Sequence, residues 1–255
     1  MGRTLLTSAD DPQPSPRTDV TVRSDVTVEL VKSSASDSDV LFAARVSTLG
    51  EQSIGELQKD PERSKGLINY LMRDRHGSPF EHNSMTFLVS APIFVFREFM
   101  RHRVGWSYNE ESGRYRELQP VFYVPGEDRK LVQQGRPGKY EFVDGTPEQY
   151  KAVTETMAES YRQSYAAYQE MLAAGVAREV ARATLPVGLF SSMYTTCNAR
   201  SLMHFLGLRT QHELAKVPSF PQREIEMVGE KMEAEWARLM PLTYAAFNAN
   251  GRVAP

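Results

Sequence analysis

Apolar and polar residues alternate through residues 20–31, with Val22, Val26, Val28 and Leu30 on the apolar beat. A period of two predicts a strand. Residues 37–46 turn to helical spacing through Leu41, Ala44 and Arg45 behind a Ser or Asp cap. Residues 64–75 place Leu67, Ile68, Tyr70, Leu71 and Met72 as the apolar face of an amphipathic helix. The run MTFLVS at residues 85–90 predicts a strand. Pro92, tolerated in a first helical turn, then opens a helix through IFVFREFMRHR. Residues 104–117 are polar, contain Gly105 and Gly113, and predict a loop. Val121, Phe122, Tyr123 and Val124 give a short strand within residues 119–125, and the charged, glycine-rich residues 126–145 a surface excursion. Thr146 caps a long helix to Ala174, with Glu148 and Gln149 in its first turn. A shorter helix over residues 176–184 stops at Pro186, residues 189–197 predict a strand, and residues 199–208 and 222–240 two more helices before a short tail. Helices with a few separated strands, and no regular βαβ alternation, predict a mixed α/β (α+β) fold in one domain over residues 20–255.

Composition narrows the function. The chain has 255 residues, 41% hydrophobic and 24% charged, enough for a sizeable core. Its net charge of -2 means that affinity for nucleotides must come from local arginine clusters. No apolar run is long enough to cross a bilayer. Residues 1–19 lack a signal core and are rich in Asp, Pro and Ser, so a disordered leader is expected there. The lone Cys197 excludes an intrachain disulfide and fits a reducing cytoplasm; it sits in a hydrophobic run and reads as an inert thiol. His76, His82, His102, His204 and His212 lack zinc-site spacing, so no metal is expected. The glycine fingerprints of dinucleotide-binding and P-loop folds are absent, which argues against a Rossmann fold.

Chemistry concentrates in residues 101–116. Arg101, Arg103, Arg114 and Arg116 stand there with His102, Glu110, Glu111 and several hydroxyls. Arg97 and Arg101 are four apart on a predicted helix that also carries Phe94, Phe96, Phe99 and Met100, so a basic face is backed by core. The loop beyond offers backbone N–H groups beside Ser112 and Arg114. Guanidinium forks and free amides are what a phosphate or carboxylate needs. Further on, Arg178 and Arg182 are four apart. Arg200 and His204 share one face of a helix, with Arg209 on roughly the opposite face at about 100° per residue. The bland alternative pairs these arginines with nearby acids such as Glu179. Two other classes compete: an RNA- or nucleotide-binding module using this loop and its tyrosines, and a structural oligomer with arginines at its interfaces. The near-neutral charge and the scattered late arginines argue against the module. Tyr108 and Tyr115 read first as packing residues, and Ser112 as a nucleotide-binding hydroxyl, not a nucleophile.

Arg101-His102-Arg103, then eight residues, then Ser112 resembles the R-H-R-x7-S signature of flavin-dependent thymidylate synthases, one residue longer, with the surplus near Gly105-Trp106. Pro79-Phe80-Glu81-His82, Ala91-Pro92-Ile93-Phe94-Val95, Arg178-Glu179-Val180-Ala181-Arg182 and Asn198-Ala199-Arg200-Ser201-Leu202 resemble further blocks of that family, in family order. The resemblance implies an α/β fold with a central sheet flanked by helices, a cytoplasmic homotetramer, and FAD bound at subunit junctions. It implies conversion of dUMP, methylenetetrahydrofolate and NADPH to dTMP and tetrahydrofolate, with reduced flavin as hydride source and no cysteine nucleophile. No nucleic-acid or membrane partner is implied. Carried over by position, Glu98, Phe99, Met100, Arg101, Glu110, Glu111, Ser112, Gly113, Arg114, Arg182 and Arg209 contact dUMP. Arg209 also polarises the uracil and is the catalytic residue. Ser84, Arg101, His102, Arg103, Val104, Glu110, Asn198, Ala199, Arg200 and His204 contact FAD, and His82 lies near flavin and folate. Glu98 stands where glutamine is frequent in the family; an acid beside a nucleotide needs a cationic neighbour, here Arg97 or Arg101. Residues 210–222 form a longer stretch than usual.

Overall fold

The computed structural model describes residues 19–50, 61–136 and 139–255; residues 1–18 of the expected leader lie outside them. Strands β1 (Thr21–Arg23) and β2 (Thr27–Ser33) precede helices α1 (Asp37–Leu49) and α2 (Pro61–Arg73). A 3-10 turn, Ser78–Glu81, leads into β3 (Met85–Pro92) and α3 (Ile93–Phe99). Then come β4 (Trp106–Glu110), β5 (Val121–Tyr123), β6 (Val132–Arg136) and β7 (Lys139–Val143). The long α4 (Pro147–Ala173) is followed by the short α5 (Arg178–Ala181), a 3-10 turn at Arg182–Thr184, and β8 (Phe190–Cys197). Helices α6 (Ala199–Arg209), α7 (Arg223–Leu239) and α8 (Pro241–Ala249) complete the order.

An antiparallel sheet in the order β2-β3-β8-β4 organises the molecule. Along β3, buried Met85, Phe87, Val89 and Ala91 alternate with partly exposed Thr86, Leu88 and Ser90, so one face is apolar. The register pairs those four with Cys197, Thr195, Met193 and Ser191 of β8, which share that face. Leu202 and Phe205 of α6 pack on it, with Val228, Met232 and Trp236 of α7 and Phe247 of α8. Each fully buried side chain of this size contributes about 1.5–3 kcal/mol. A second cluster joins Tyr161, Tyr165 and Tyr168 of α4 to Phe122, Leu189 and Ala181. The class is mixed α and β, as expected. The sheets are antiparallel apart from the short parallel pair β1–β5, which is no doubly wound arrangement. No helix among the described residues is long and apolar enough to cross a membrane.

Five expectations need correction. The single strand over residues 20–31 is two, because β1 pairs with β5 while β2 pairs with β3. The expected loop at residues 104–117 contains β4, whose polar sequence WSYNE is held as an edge strand by its ladder to β8. Within the expected surface excursion, β6 pairs antiparallel with β7. The short tail carries α8, whose first free amides are capped by a distant side chain: Leu242 and Thr243 donate to the two carboxylate oxygens of Asp37 at 2.8 and 2.9 Å. The helix expected to run through Arg103 also ends early, at Phe99. The Tyr108 hydroxyl donates to the carbonyls of Phe99 and His102 at 3.0 and 2.7 Å, fixing that exit as a turn.

Candidate active site

Helix α3 buries Val95, Phe96 and Phe99 and so turns Arg97 and Glu98 outward. Phe99 stacks on Phe205 of α6, ring centres 4.7 Å apart, and meets Trp106 and Tyr108 edge-on. This packing sets the end of α3 against the end of α6. Arg209, the last residue of α6, donates from Nη1 to Glu98 Oε2 at 2.5 Å and from Nε to His102 Nε2 at 3.1 Å. An Nε2 that accepts leaves the imidazole neutral with its proton on Nδ1. Burial pulls the His102 pKa down to about 4, and the charges of Arg209 and His204 add to that. Burial also raises the Glu98 carboxyl above the ordinary glutamate range; Arg209 opposes the rise and Glu224 adds to it. The cationic neighbour of Glu98 is thus Arg209, not Arg97 or Arg101. Those two line the same pocket with Glu98, His102, Leu208 and Arg209. Neither has a salt-bridge partner among the described residues.

A second cleft, of about 390 Å³, opens where β4 ends, lined by Glu110, Glu111, Gly113, Arg182 and Ser191 among others. The Ser112 carbonyl accepts from the amides of Tyr115 and Arg116, which closes a tight turn. A side chain on Gly113 would come within 2.8 Å of Leu118, so only glycine lets this turn sit so close. Arg114 pairs with Glu179 at 2.9 Å, both about half exposed; such a pair is worth about 0–1 kcal/mol and yields readily to a phosphate. Arg182 is exposed and, among the described residues, has no salt-bridge partner.

Comparisons with known proteins agree on one family. Residues 29–242 match the family described as "Thymidylate synthase complementing protein". The chain is 84% identical, over 247 residues, to the flavin-dependent thymidylate synthase of Streptomyces coelicolor, covering 97% of this chain and 98% of that one. It is 59% identical over 232 residues to the enzyme of the same name from Tropheryma whipplei (strain TW08/27), covering 91% and 96%. It also resembles the solved structure of a UMP/dUMP methylase PolB from Streptomyces cacaoi bound with 5-Br dUMP. That likeness has a TM-score of 0.88 and 57% identity over 92% of this chain and 100% of that one. The chain belongs to the flavin-dependent thymidylate synthase family. The family read from the five sequence blocks is therefore the one found.

In this flavin-dependent thymidylate synthase fold, the start of α6 is tied to the loop after α3. Asn198 caps α6 by accepting from the Ser201 amide at 2.8 Å, and Ser201 Oγ donates to the Val104 carbonyl at 2.9 Å. Gly105, at φ +69, makes room: a Cβ there would collide with Ser201 Oγ. Ser84 hydrogen-bonds Ser34. Arg103 and Val104 are exposed on this loop. Arg200 lies in the first turn of α6, at the other end from Arg209. It donates to Glu81 at 2.5 Å and to the Pro255 carbonyl at 2.6 Å, so the bland pairing with acids holds for Arg114, Arg200 and Arg209. Arg101, Arg103 and Arg182 escape it among the described residues. His204 and His82 are exposed. Phe99 and Ala199 are fully buried. Met100 is exposed beside Arg101.

Two residues escaped the sequence reading. Ser191 lines the second cleft with a buried hydroxyl that faces the Glu110 carboxylate. Its inward position on β8 was the only signal. Glu224, 2% exposed, accepts from Tyr123 at 2.5 Å and Arg129 at 2.8 Å. Burial raises its carboxyl, but these donors carry it below the ordinary value. Tyr108 packs as expected, its ring parallel to Trp106 at 5.9 Å. Tyr115 does not: it is 79% exposed, with the Arg114 guanidinium over its ring.

Proposed function

We propose that this chain methylates dUMP to dTMP, taking the carbon from 5,10-methylenetetrahydrofolate and reducing equivalents from NADPH by way of FAD. Family membership supports the class of reaction. The observation that carries the residue-level reading is the Arg209 guanidinium, held by Glu98 and His102 in a pocket that also holds Arg97 and Arg101, neither with a salt-bridge partner among the described residues. A cationic fork beside a uracil carbonyl stabilises the negative charge that develops on the base. The second cleft suits the nucleotide's phosphate through Arg182 and the backbone at Gly113, with Glu110 and Glu111 in its lining, and Ser112 and Arg114 follow on the same turn, Arg114 paired to the lining residue Glu179.

The residues present fit FAD. Its pyrophosphate needs cations and amides, and the exposed Arg101 and Arg103 supply cations on a loop stapled to α6. Ser84, His102, Val104, Glu110, Asn198, Ala199, Arg200 and His204 complete that set, and His82 serves flavin and folate. Bound FAD supplies the hydride; the protein binds, orients and polarises. The Arg209 pocket, the Arg182 cleft and the Arg200 end of α6 share no lining residue within one chain. A homotetramer in which several copies build each site reconciles these separate clusters.

Purified protein incubated with dUMP, methylenetetrahydrofolate and NADPH should form dTMP, dependent on FAD, and should show flavin absorbance. Failure to form dTMP with FAD supplied rejects the reading. Two variants refine it. Arg182→Ala should weaken dUMP binding about 10–100-fold, the worth of one charge-assisted hydrogen bond, with flavin content unchanged; titration with dUMP measures it. Cys197→Ala should keep turnover within about threefold. Its thiol is 2% exposed, and burial pushes its pKa far up, away from a nucleophilic thiolate. Complete loss of activity in a folded, flavin-loaded Cys197→Ala protein would revive a thiol mechanism.

A further inference from the structure

Glu98 and Arg209 are 111 residues apart in the chain, yet their side chains meet at the mouth of one pocket, each about a quarter exposed. The guanidinium has five N–H donors. Nε donates to His102, Nη1 to the Glu98 carboxylate, and Nη2 to the Glu98 carbonyl at a long 3.4 Å. One donor remains on each terminal nitrogen. Two supports on different edges of a planar group fix both its position and its plane, which a single ion pair does not do. Glu98 is itself anchored, because its neighbours Phe96 and Phe99 are buried and α3 packs on α7.

We propose that Glu98 is a positioning residue: its carboxylate, seconded by the His102 imidazole, holds the Arg209 guanidinium in the plane from which its two free donors serve the substrate. This rests on the function proposed above and names what sets the orientation of its catalytic arginine. The charged groups facing Glu98 are Arg209 from α6, His102 and Arg101 from the loop, Arg97 on α3, and Glu224 from α7, the last already bonded to Arg129 and Tyr123. As pH falls, Glu98 takes a proton, the ion pair with Arg209 is lost, and turnover falls. Burial raises the Glu98 carboxyl, so this loss begins above the ordinary glutamate range of about 4.3. Protonation of His102 turns its Nε2 from acceptor to donor and breaks the second support only lower, near pH 4.

The test is a double-mutant cycle on the flavin-loaded, full-length protein, with kcat, the KM for dUMP and flavin content measured for Glu98→Ala, Glu98→Gln, Arg209→Ala and the Glu98→Ala/Arg209→Ala double variant. Glu98→Ala should lower kcat about 10–100-fold, the usual cost of losing a group that orients a functional residue, with KM within about threefold. The double variant should be no more than about twofold slower than Arg209→Ala alone, because Glu98 acts through Arg209. Glu98→Gln keeps the shape and removes the charge; it should fold normally and lose the upper acid limb of the kcat profile, keeping only the one near pH 4. An active wild type whose double variant shows the product of the two single losses overturns this proposal alone. So does a Glu98→Gln profile that matches wild type. A wild type that forms no dTMP removes the functional reading and this proposal together.

Discussion

Arg209→Ala is expected to lower kcat about 100–1,000-fold, or roughly 2.7–4 kcal/mol, the cost of removing one donor that meets developing charge in a transition state. The loss should fall on kcat, because an interaction made fully only in the transition state contributes little to substrate binding. Flavin content should stay at the wild-type level: Arg209 bonds Glu98 and His102, while the link from Val104 to Ser201 and the Asn198 cap sit at the other end of α6. Arg209→Lys keeps the charge but not the fork, so it should recover only part of the rate. Removing Arg209 also leaves the partly buried Glu98 without its counter-charge. Its carboxyl then shifts further upward, and its charge is lost at a higher pH than in the wild type. An Arg209→Ala protein with unchanged kcat would remove this residue from the chemistry.

Arg252→Ala should produce the largest change in stability. Its side chain is 1% exposed and grips Glu233, itself 12% exposed, at 2.6 and 2.8 Å through both terminal nitrogens. It also donates to Asn248 at 2.9 Å and to Thr210 at 3.1 Å, and lies over the Phe247 ring. One side chain thereby binds the C-terminal segment to α7, α8 and the residue that follows Arg209. Truncation strands the Glu233 carboxylate in a low-dielectric setting. Breaking one partner of a buried pair costs about 3–5 kcal/mol, which for a chain of this size means an apparent Tm lower by about 6–20 °C. The wild-type turn at this position has φ +55, in the left-handed region, so alanine keeps that strain and loses its compensation. Thermal denaturation by circular dichroism measures the difference, and a shift under about 2 °C would show the network to be inert. Replacing Arg252 and Glu233 together with apolar residues of similar volume should restore part of the loss, since the stranded charge is then gone.

Elements governed by neighbours in the chain were legible. Helix α4 was read to its cap, because Thr146 accepts from the Gln149 amide three residues on, and the buried tyrosines recur one and two turns apart. Strand β3 showed its period of two. By contrast, β4 reads as a polar loop because its strand character comes from β8, more than 80 residues away. The start of α8 was invisible because its cap is Asp37, 205 residues upstream of Leu242. Helix α3 looked longer than it is, since nothing local announces that Tyr108 will take the carbonyls at its exit.

The same division runs through the site. Sequence alone determined the family, fixed by the order of its motif blocks along the chain. Only the tertiary structure decided which charge meets which: that Arg209 is clasped by Glu98 and His102, that Arg200 is already engaged by Glu81, and that Arg101 and Arg182 open on separate clefts. The reason is physical. A side chain's partner depends on where the sheet and the helices above it bring distant segments together, and a pairing across 111 residues leaves no periodic trace along the chain.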